Sequence, residues 1–275
     1  MKKIQVNGID LLENPMSLED KFLNLVNIMK ILRGKDGCPW DREQTHESIK
    51  NDTLEEAYEL VEAINTKDEI NLKEELGDVL LHVVFHSQIA EDEQRFTVAE
   101  VIDVLNEKLI RRHPHIFGES LASDSEEVLR QWDAIKKIEK SHTTITETLR
   151  SVPMAMPALV RASKIGKRAA KVGFDFTSVD ELMEKVFEEI HEIKEAIAVG
   201  EINHIEEEIG DLLLQIVNLS RFFQLNAENA LTKSVEKFIN RFEGVEQLAM
   251  AKGHNIADLS LMQMNELWDI VKLTK

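Results

Sequence analysis

The feature that most restricts the fold of this chain is a spacing of carboxylates that occurs twice. Glu56 and Glu59 precede Glu75 and Asp78 in LEEAYELVEAI and EELGDVLL; Glu189 and Glu192 precede Glu208 and Asp211 in FEEIHEIKEAI and EEIGDLLL. The members of each pair are three residues apart, and 16 residues separate the second Glu from the third in both copies. Residues three apart share a helix face, so each pair aims two carboxylates one way. Val199-Gly200 and Asn203 offer a break short enough for a helical hairpin. An antiparallel hairpin then brings four carboxylates together. They repel one another unless a cation sits among them, and an all-oxygen donor set favours a hard ion such as Mg²⁺. Gly210 beside Asp211 is expected to let the two helices approach closely.

One such pattern is weak evidence in a chain with 51 acidic residues, where the default is a solvated helix face. Its recurrence carries the weight. The chain is long enough for one large domain or two ordinary ones. Few Gly, Pro and aromatic residues, with abundant Glu, Leu, Ile and Lys, predict an all-helical protein. The net charge of −18 argues against nucleic acid or an anionic membrane as partner, since phosphate surfaces select Lys and Arg. Cys38 is the only cysteine, which excludes an intramolecular disulfide and a Cys-based zinc site. There is no apolar run near the 18 or so residues of a membrane span and no secretory signal after MKKIQVNGID. The cytoplasm is the expected location.

Taken in order, residues 1–16 read as a loosely attached polar arm. Ser17 is placed to cap a helix over 18–33. Trp40, after the break at Gly34 and Gly37, reads most simply as a core residue. Helices are predicted over 98–112 and 125–139. His113 and His115 in RRHPHIFG lack a partner cluster and mark a helix end rather than a metal site. The Thr-rich stretch over 141–152 is the best linker between a first domain, 1–140, and a second, 153–275. The second domain opens with a basic helix over 158–171, carries the second hairpin, and continues in helices over 227–248 and around Trp268.

The repeat extends beyond the acids. Lys108 and Arg112 are four apart, as are Lys237 and Arg241; Trp132 and Lys136 match Trp268 and Lys272. Both halves therefore read ExxE, ExxD, KxxxR, WxxxK, the signature of a duplicated domain. Singly, the cations read as solvated and the tryptophans as core. Jointly they suit a nucleoside triphosphate: a carboxylate-held ion and two cations for the phosphates, and an aromatic face for any base.

Together with CPWDREQTH, KEELGDVLLHVVFHSQIA, EKLIRRHPHIFG, KVGFDF and EEIGDLLLQIVNLSRF, these residues resemble the MazG family in its two-domain form over nearly the whole chain. The resemblance implies tandem helical bundles of the all-α nucleoside triphosphate pyrophosphatase type. It implies a homodimer and Mg²⁺-dependent cleavage of ribo- and deoxyribonucleoside triphosphates to monophosphate and pyrophosphate, with little regard for the base. It implies metal ligation by Glu189, Glu192, Glu208 and Asp211, and nucleotide contacts from Lys185, Lys237, Arg241, Trp268 and Lys272. Glu188 and Glu189 both remain candidates to orient the attacking water. Glu56, Glu59, Glu75, Asp78, Lys108, Arg112, Trp132 and Lys136 would form a second site in the first half. Two departures stand out: His204 replaces an expected lysine, and Asp52 occupies the first-half position of Lys185. The second half is therefore expected to be the main catalytic one. Two rivals remain open: a di-iron or di-manganese carboxylate bundle, for which Glu188 and His191 have Glu-x-x-His spacing but Glu55 and Tyr58 do not repeat it, and a non-catalytic acidic adapter.

Overall fold

The computed structural model describes residues 3–118, 120–139 and 144–273. The chain divides into two compact units, residues 1–136 and 137–275. Among the described residues the architecture is helical, apart from one two-stranded sheet.

The first unit opens with that sheet. Strands β1 (Lys3–Val6) and β2 (Ile9–Leu12) pair antiparallel, with Lys3 opposite Leu12 and Val6 opposite Ile9. Asn7 and Gly8 turn the chain with φ of 50° and 81°, the two positive values of the hairpin turn that Asn-Gly favours. The polar arm expected here is thus a hairpin, and it is fastened. Leu12 N–H donates to Asn24 Oδ1 at 2.9 Å, and Asn24 Nδ2 donates back to Leu12 O at 2.8 Å. Asn24 lies on α1 (Leu18–Arg33), which starts where Ser17 Oγ accepts from Asp20 N–H.

Helix α2 (Pro39–Glu43) follows the glycine break, then α3 (Lys50–Thr66) and α4 (Glu69–Asp92) form the acidic hairpin. Their turn is two residues long. Lys67 ends α3 in the left-handed conformation, and the Asp68 carboxylate caps α4 by accepting from Ile70 and Asn71 N–H. The core lies where α1 meets α4, around Val26, Met29, Ile49, Val84, Phe85 and Ile89. Trp40 is not part of it: 58% exposed, it offers only an edge contact to Phe85. A Thr97–Glu100 capping box starts α5 (Val98–Arg112), and α6 (Pro114–Phe117) and α7 (Ser125–Glu139) follow.

In the second unit the stretch expected as a linker carries α8 (Ile145–Arg150), opened by a Thr144–Glu147 capping box. Residues 141–143 of that stretch lie outside the described residues. Val152 is fully buried, and Arg168 donates to Thr148 O and to Ser151 Oγ. Helix α9 (Ala158–Ala170) supplies that arginine and packs on α11 and α12. Helices α10 (Val179–Val199) and α11 (Ile202–Phe222) form the second acidic hairpin, closed by Gly200 at φ 81°. Asn203 lies inside α11, so the turn is Gly200-Glu201 alone. Gly210 does not mediate close approach, for a Cβ there would meet nothing within 4 Å. At 3.6 residues per turn it sits about 200° round the helix from Glu208, turned away from α10. Helix α12 (Ala227–Ala251) pairs with α13 (Leu261–Leu273) over Val245, Ala249, Leu267 and Val271.

Candidate active site

In the second unit the antiparallel hairpin does what the spacing requires. Glu189 from α10 and Glu208 and Asp211 from α11 place carboxylate oxygens within 4.8 Å of one another. Glu189 is 3% exposed and Glu208 9%, while Asp211 opens to solvent. Glu192 stands one turn along α10, outside that tightest group. It nevertheless feels it: burial, then the charges of Glu208 and Glu189, hold its carboxyl above the usual glutamate range.

Lys185, one turn before Glu189, reaches Glu188 Oε1 at 3.1 Å and Glu189 Oε1 at 3.2 Å. Its hydrogen bond to Glu188 is the main cause that keeps the ammonium charged to higher pH than usual. His204 stands in the place of the expected lysine, and its Nε2 lies 3.0 Å from Glu208 Oε1. A hydrogen-bond donor is therefore retained beside this carboxylate. His191 faces away, pairing with the exposed Glu195. Glu188 and His191 thus build no Glu-x-x-His metal face.

The first unit repeats the cluster. Glu56 from α3 and Glu75 and Asp78 from α4 bring carboxylate oxygens within 4.8 Å. Glu75 is 7% exposed, and its Oε2 is buried with no hydrogen-bond partner among the described residues. Burial first, then Glu59, Glu56 and Asp78, push its carboxyl up; burial and Asp78 do the same to Glu56, with Asp52 adding to it. Closely packed, partly buried carboxylates with an orphaned oxygen and raised proton affinity are the donor set that a divalent cation satisfies.

The cationic and aromatic groups form a second assembly in each unit. Lys237 is exposed and Arg241 half-buried on α12; neither they nor Lys272 form an ion pair within the described residues. Trp268 on α13 is half-buried, packed on the α12–α13 core with its ring 5.2 Å from that of Phe238. In the first unit, Lys108 and Arg112 are both half-buried on α5. Trp132 is engaged by its own chain: Lys136 Nζ lies 5.2 Å over the ring and His113 meets it edge-on at 4.9 Å. No hydrogen bond or ion pair joins Lys237, Arg241, Trp268 or Lys272 to the carboxylates of the second unit among the described residues.

A further difference lies seven residues past each aspartate. In the second unit Asn218 lines a cavity of about 350 Å³ with Leu214, Phe174, Phe176 and Arg221. In the first unit that position is Phe85, 4% exposed in the core beneath the Arg33 guanidinium. Two features escape sequence reading. One is the clamp of Arg221 on both carboxylate oxygens of Asp175, which holds the Asp175 carboxyl below its usual range. The other is a chain of histidines beside Glu56, signalled only by His82 standing four residues after Asp78.

Two tandem helical hairpins, each bringing three carboxylates of its own unit within 4.8 Å of one another, define a duplicated all-α acidic-hairpin architecture. The MazG nucleotide pyrophosphohydrolase domain model matches this chain twice, over residues 44–117 and 177–245, so each match contains one acidic hairpin. The chain is 46% identical over 251 residues to the nucleoside triphosphate pyrophosphohydrolase/pyrophosphatase MazG of Thermotoga maritima, covering 91% of this chain and 95% of that protein. It is 44% identical over 251 residues to the nucleoside triphosphate pyrophosphohydrolase of Escherichia coli K12, covering 90% and 95%. A Mycobacterium tuberculosis protein of the same name is 33% identical over 244 residues, covering 87% and 63%. The chain belongs to the MazG family.

Proposed function

We propose that this protein hydrolyses nucleoside triphosphates, ribo and deoxyribo alike, to monophosphate and pyrophosphate, with Mg²⁺ as cofactor and the second unit as the main catalytic site. The observation that carries this reading is the convergence of Glu189, Glu208 and Asp211, two of them nearly buried, beside Lys185. The relatives' names agree with it.

Glu189, Glu192, Glu208 and Asp211 would hold the ion, which would supply charge neutralisation to the triphosphate as water attacks one phosphorus of the α,β-anhydride and its P–O bond to the bridging oxygen breaks. Lys185, now spent on Glu188 and Glu189, is placed to exchange one of these partners for a phosphate oxygen. That exchange leaves a carboxylate free to orient water, and Glu188 and Glu189 are the two within its reach. Lys237 and Arg241 bind the outer phosphates, Trp268 gives a base-tolerant stacking face, and Lys272 a further contact. The exposed Ile209, Leu213 and Ile216 on α11 favour a homodimer, because contiguous apolar surface marks an interface. No helix among the described residues is long and apolar enough to cross a membrane, and the acidic net charge disfavours nucleic acid as partner. We place the protein in the cytoplasm.

The test is product analysis with several ribo- and deoxyribonucleoside triphosphates, with and without Mg²⁺. The reading expects monophosphate and pyrophosphate in equal amounts, only with the metal, and none from Asp211→Asn while its helical content is kept. Orthophosphate as product, or full activity in Asp211→Asn, would refute it.

A further inference from the structure

The basic helix α9 has no part in the function proposed above. It carries Arg161, Lys164, Lys167 and Arg168, with Lys171 directly after it and no acidic residue among them, in a chain of net charge −18. Arg168 is engaged by Thr148 O and Ser151 Oγ. Lys167 is exposed and forms no ion pair among the described residues. It borders a cavity of about 310 Å³ that is also lined by Ser163, Arg221, Gln224, Leu225 and Asn226.

The cavity presents hydrogen-bond donors. Gln224, Leu225 and Asn226 belong to the turn that joins α11 to α12. Gln224 N–H donates to Arg221 O and Leu225 N–H to Ser220 O, with Gln224 held at φ 57°. Asn226 Oδ1 accepts from Asn229 N–H to cap the 25-residue α12, which leaves the Asn226 Nδ2 hydrogens unused. No hydrogen bond among the described residues uses the Ser163 hydroxyl or the Gln224 side-chain amide. Arg221 is partly committed: Nη1 donates to Asp175 Oδ2 at 2.8 Å and Nη2 to Asp175 Oδ1. A guanidinium has five N–H donors, so one Nη1 hydrogen remains, and Nε is buried without a partner. Asp175 lines the neighbouring cavity around Asn218 but not this one. Two cations, several unused neutral donors and no carboxylate are the lining that an oxyanion requires. The positive end of the α12 dipole adds to the same preference.

The first unit shows how such cations are satisfied internally. There α1 packs on α4 as α9 packs on α11. Lys30 and Arg33 of α1 pair with Glu91 and Asp92 at the end of α4, at 2.8 and 2.7 Å. The last turn of α11 holds Ser220 and Arg221 and no acid. It offers Lys167 no carboxylate.

We propose that this cavity binds a small phosphate oxyanion, inorganic phosphate or pyrophosphate, through Lys167, Arg221 and Asn226. The site needs no metal and stands apart from the carboxylate cluster. Arg221 lies ten residues past Asp211, about 15 Å along α11 at the helical rise. The bound anion competes with Asp175 for the Arg221 guanidinium, so occupancy loosens the tie between the 173–176 segment and α11. The site does not depend on the hydrolysis proposed above.

The test titrates the full chain with inorganic phosphate and, separately, with pyrophosphate, in metal-free buffer at constant ionic strength. Binding is followed through the backbone amide NMR signals of residues 163–167 and 224–226. Those signals should shift and saturate with a Kd of about 1 mM or tighter, and the tighter of the two anions identifies the occupant. Lys167→Gln, a change at an exposed residue, should weaken binding about 10-fold or more, the scale of a hydrogen bond to a charged group. Asp175→Asn, which releases Arg221, should strengthen it about 3-fold or more. Lys237→Gln, on another helix, should leave it unchanged. If Asp175→Asn does not fold, the Lys167 and Lys237 variants still decide. Absence of saturable shifts with both anions, binding indifferent to Lys167→Gln, or binding lost in Lys237→Gln instead would each overturn the site.

Discussion

Trp268→Ala separates two roles that the structure gives one side chain. The ring is half-buried against Val245, Ala249, Leu267 and Val271, with Phe238 at 5.2 Å. Truncating a fully buried tryptophan costs about 3–5 kcal/mol; for a ring with half its surface in solvent, about 2 kcal/mol is expected, including the lost aromatic pair. If the open part stacks on the base, nucleotide binding should weaken by a further ~1–3 kcal/mol, or about 5- to 150-fold in Kd. Urea unfolding measures the first quantity. Calorimetric titration with four triphosphates, well below the unfolding transition, measures the second. Trp268→Phe should recover most of both. An unchanged unfolding midpoint would refute the packing argument. A binding loss confined to one base, or none at all, would refute the stacking argument.

The remaining predictions concern packing, pH and the acidic clusters. Gly244→Ala would put its Cβ 2.9 Å from Val271 Cγ1, so it should destabilise the α12–α13 pair by about 1–3 kcal/mol in urea. In the metal-free protein the carboxyls of Glu56, Glu75 and Glu192 sit above their usual value of 4.5. The folded chain then binds protons that the unfolded chain releases, so the melting temperature should rise as pH falls from 8 toward 5. Saturating Mg²⁺ should reverse that slope, because the ion competes with those protons; a metal-free melting temperature that falls from pH 8 to 5 would contradict the crowding of these acids. Asp175 shifts the other way under the Arg221 clamp. Its contribution is present above pH 3.8 and lost as pH drops through its lower folded value, and Asp175→Asn should cost about 1 kcal/mol at pH 7, given its partial exposure.

The helices and the two acidic hairpins were legible because their signals are local: period, caps such as Ser17, and breaks such as Gly200. The three carboxylates of each tight group follow from that periodicity once the hairpin closes. The Asn7-Gly8 turn was local too, yet four-residue strands are too short for alternation to reveal. Gly210 illustrates the limit of reading by adjacency, since standing next to Asp211 in sequence puts it on another face. Trp40 and Phe85 show that aromatic content does not say which ring the core takes. The histidine chain depends on α3, α4 and the 44–49 segment meeting, and the α12–α13 assembly on packing that no single helix specifies.

The claim that the second unit performs the chemistry is tested most directly by measuring Mg²⁺-dependent pyrophosphate release from Glu192→Gln and Glu59→Gln on the same triphosphates. These are equivalent positions, but only the second unit has a cation, Lys185, where the first has Asp52. Glu192→Gln should lose nearly all activity and Glu59→Gln should keep most of it. The reverse order, or equal losses in both, would contradict the account.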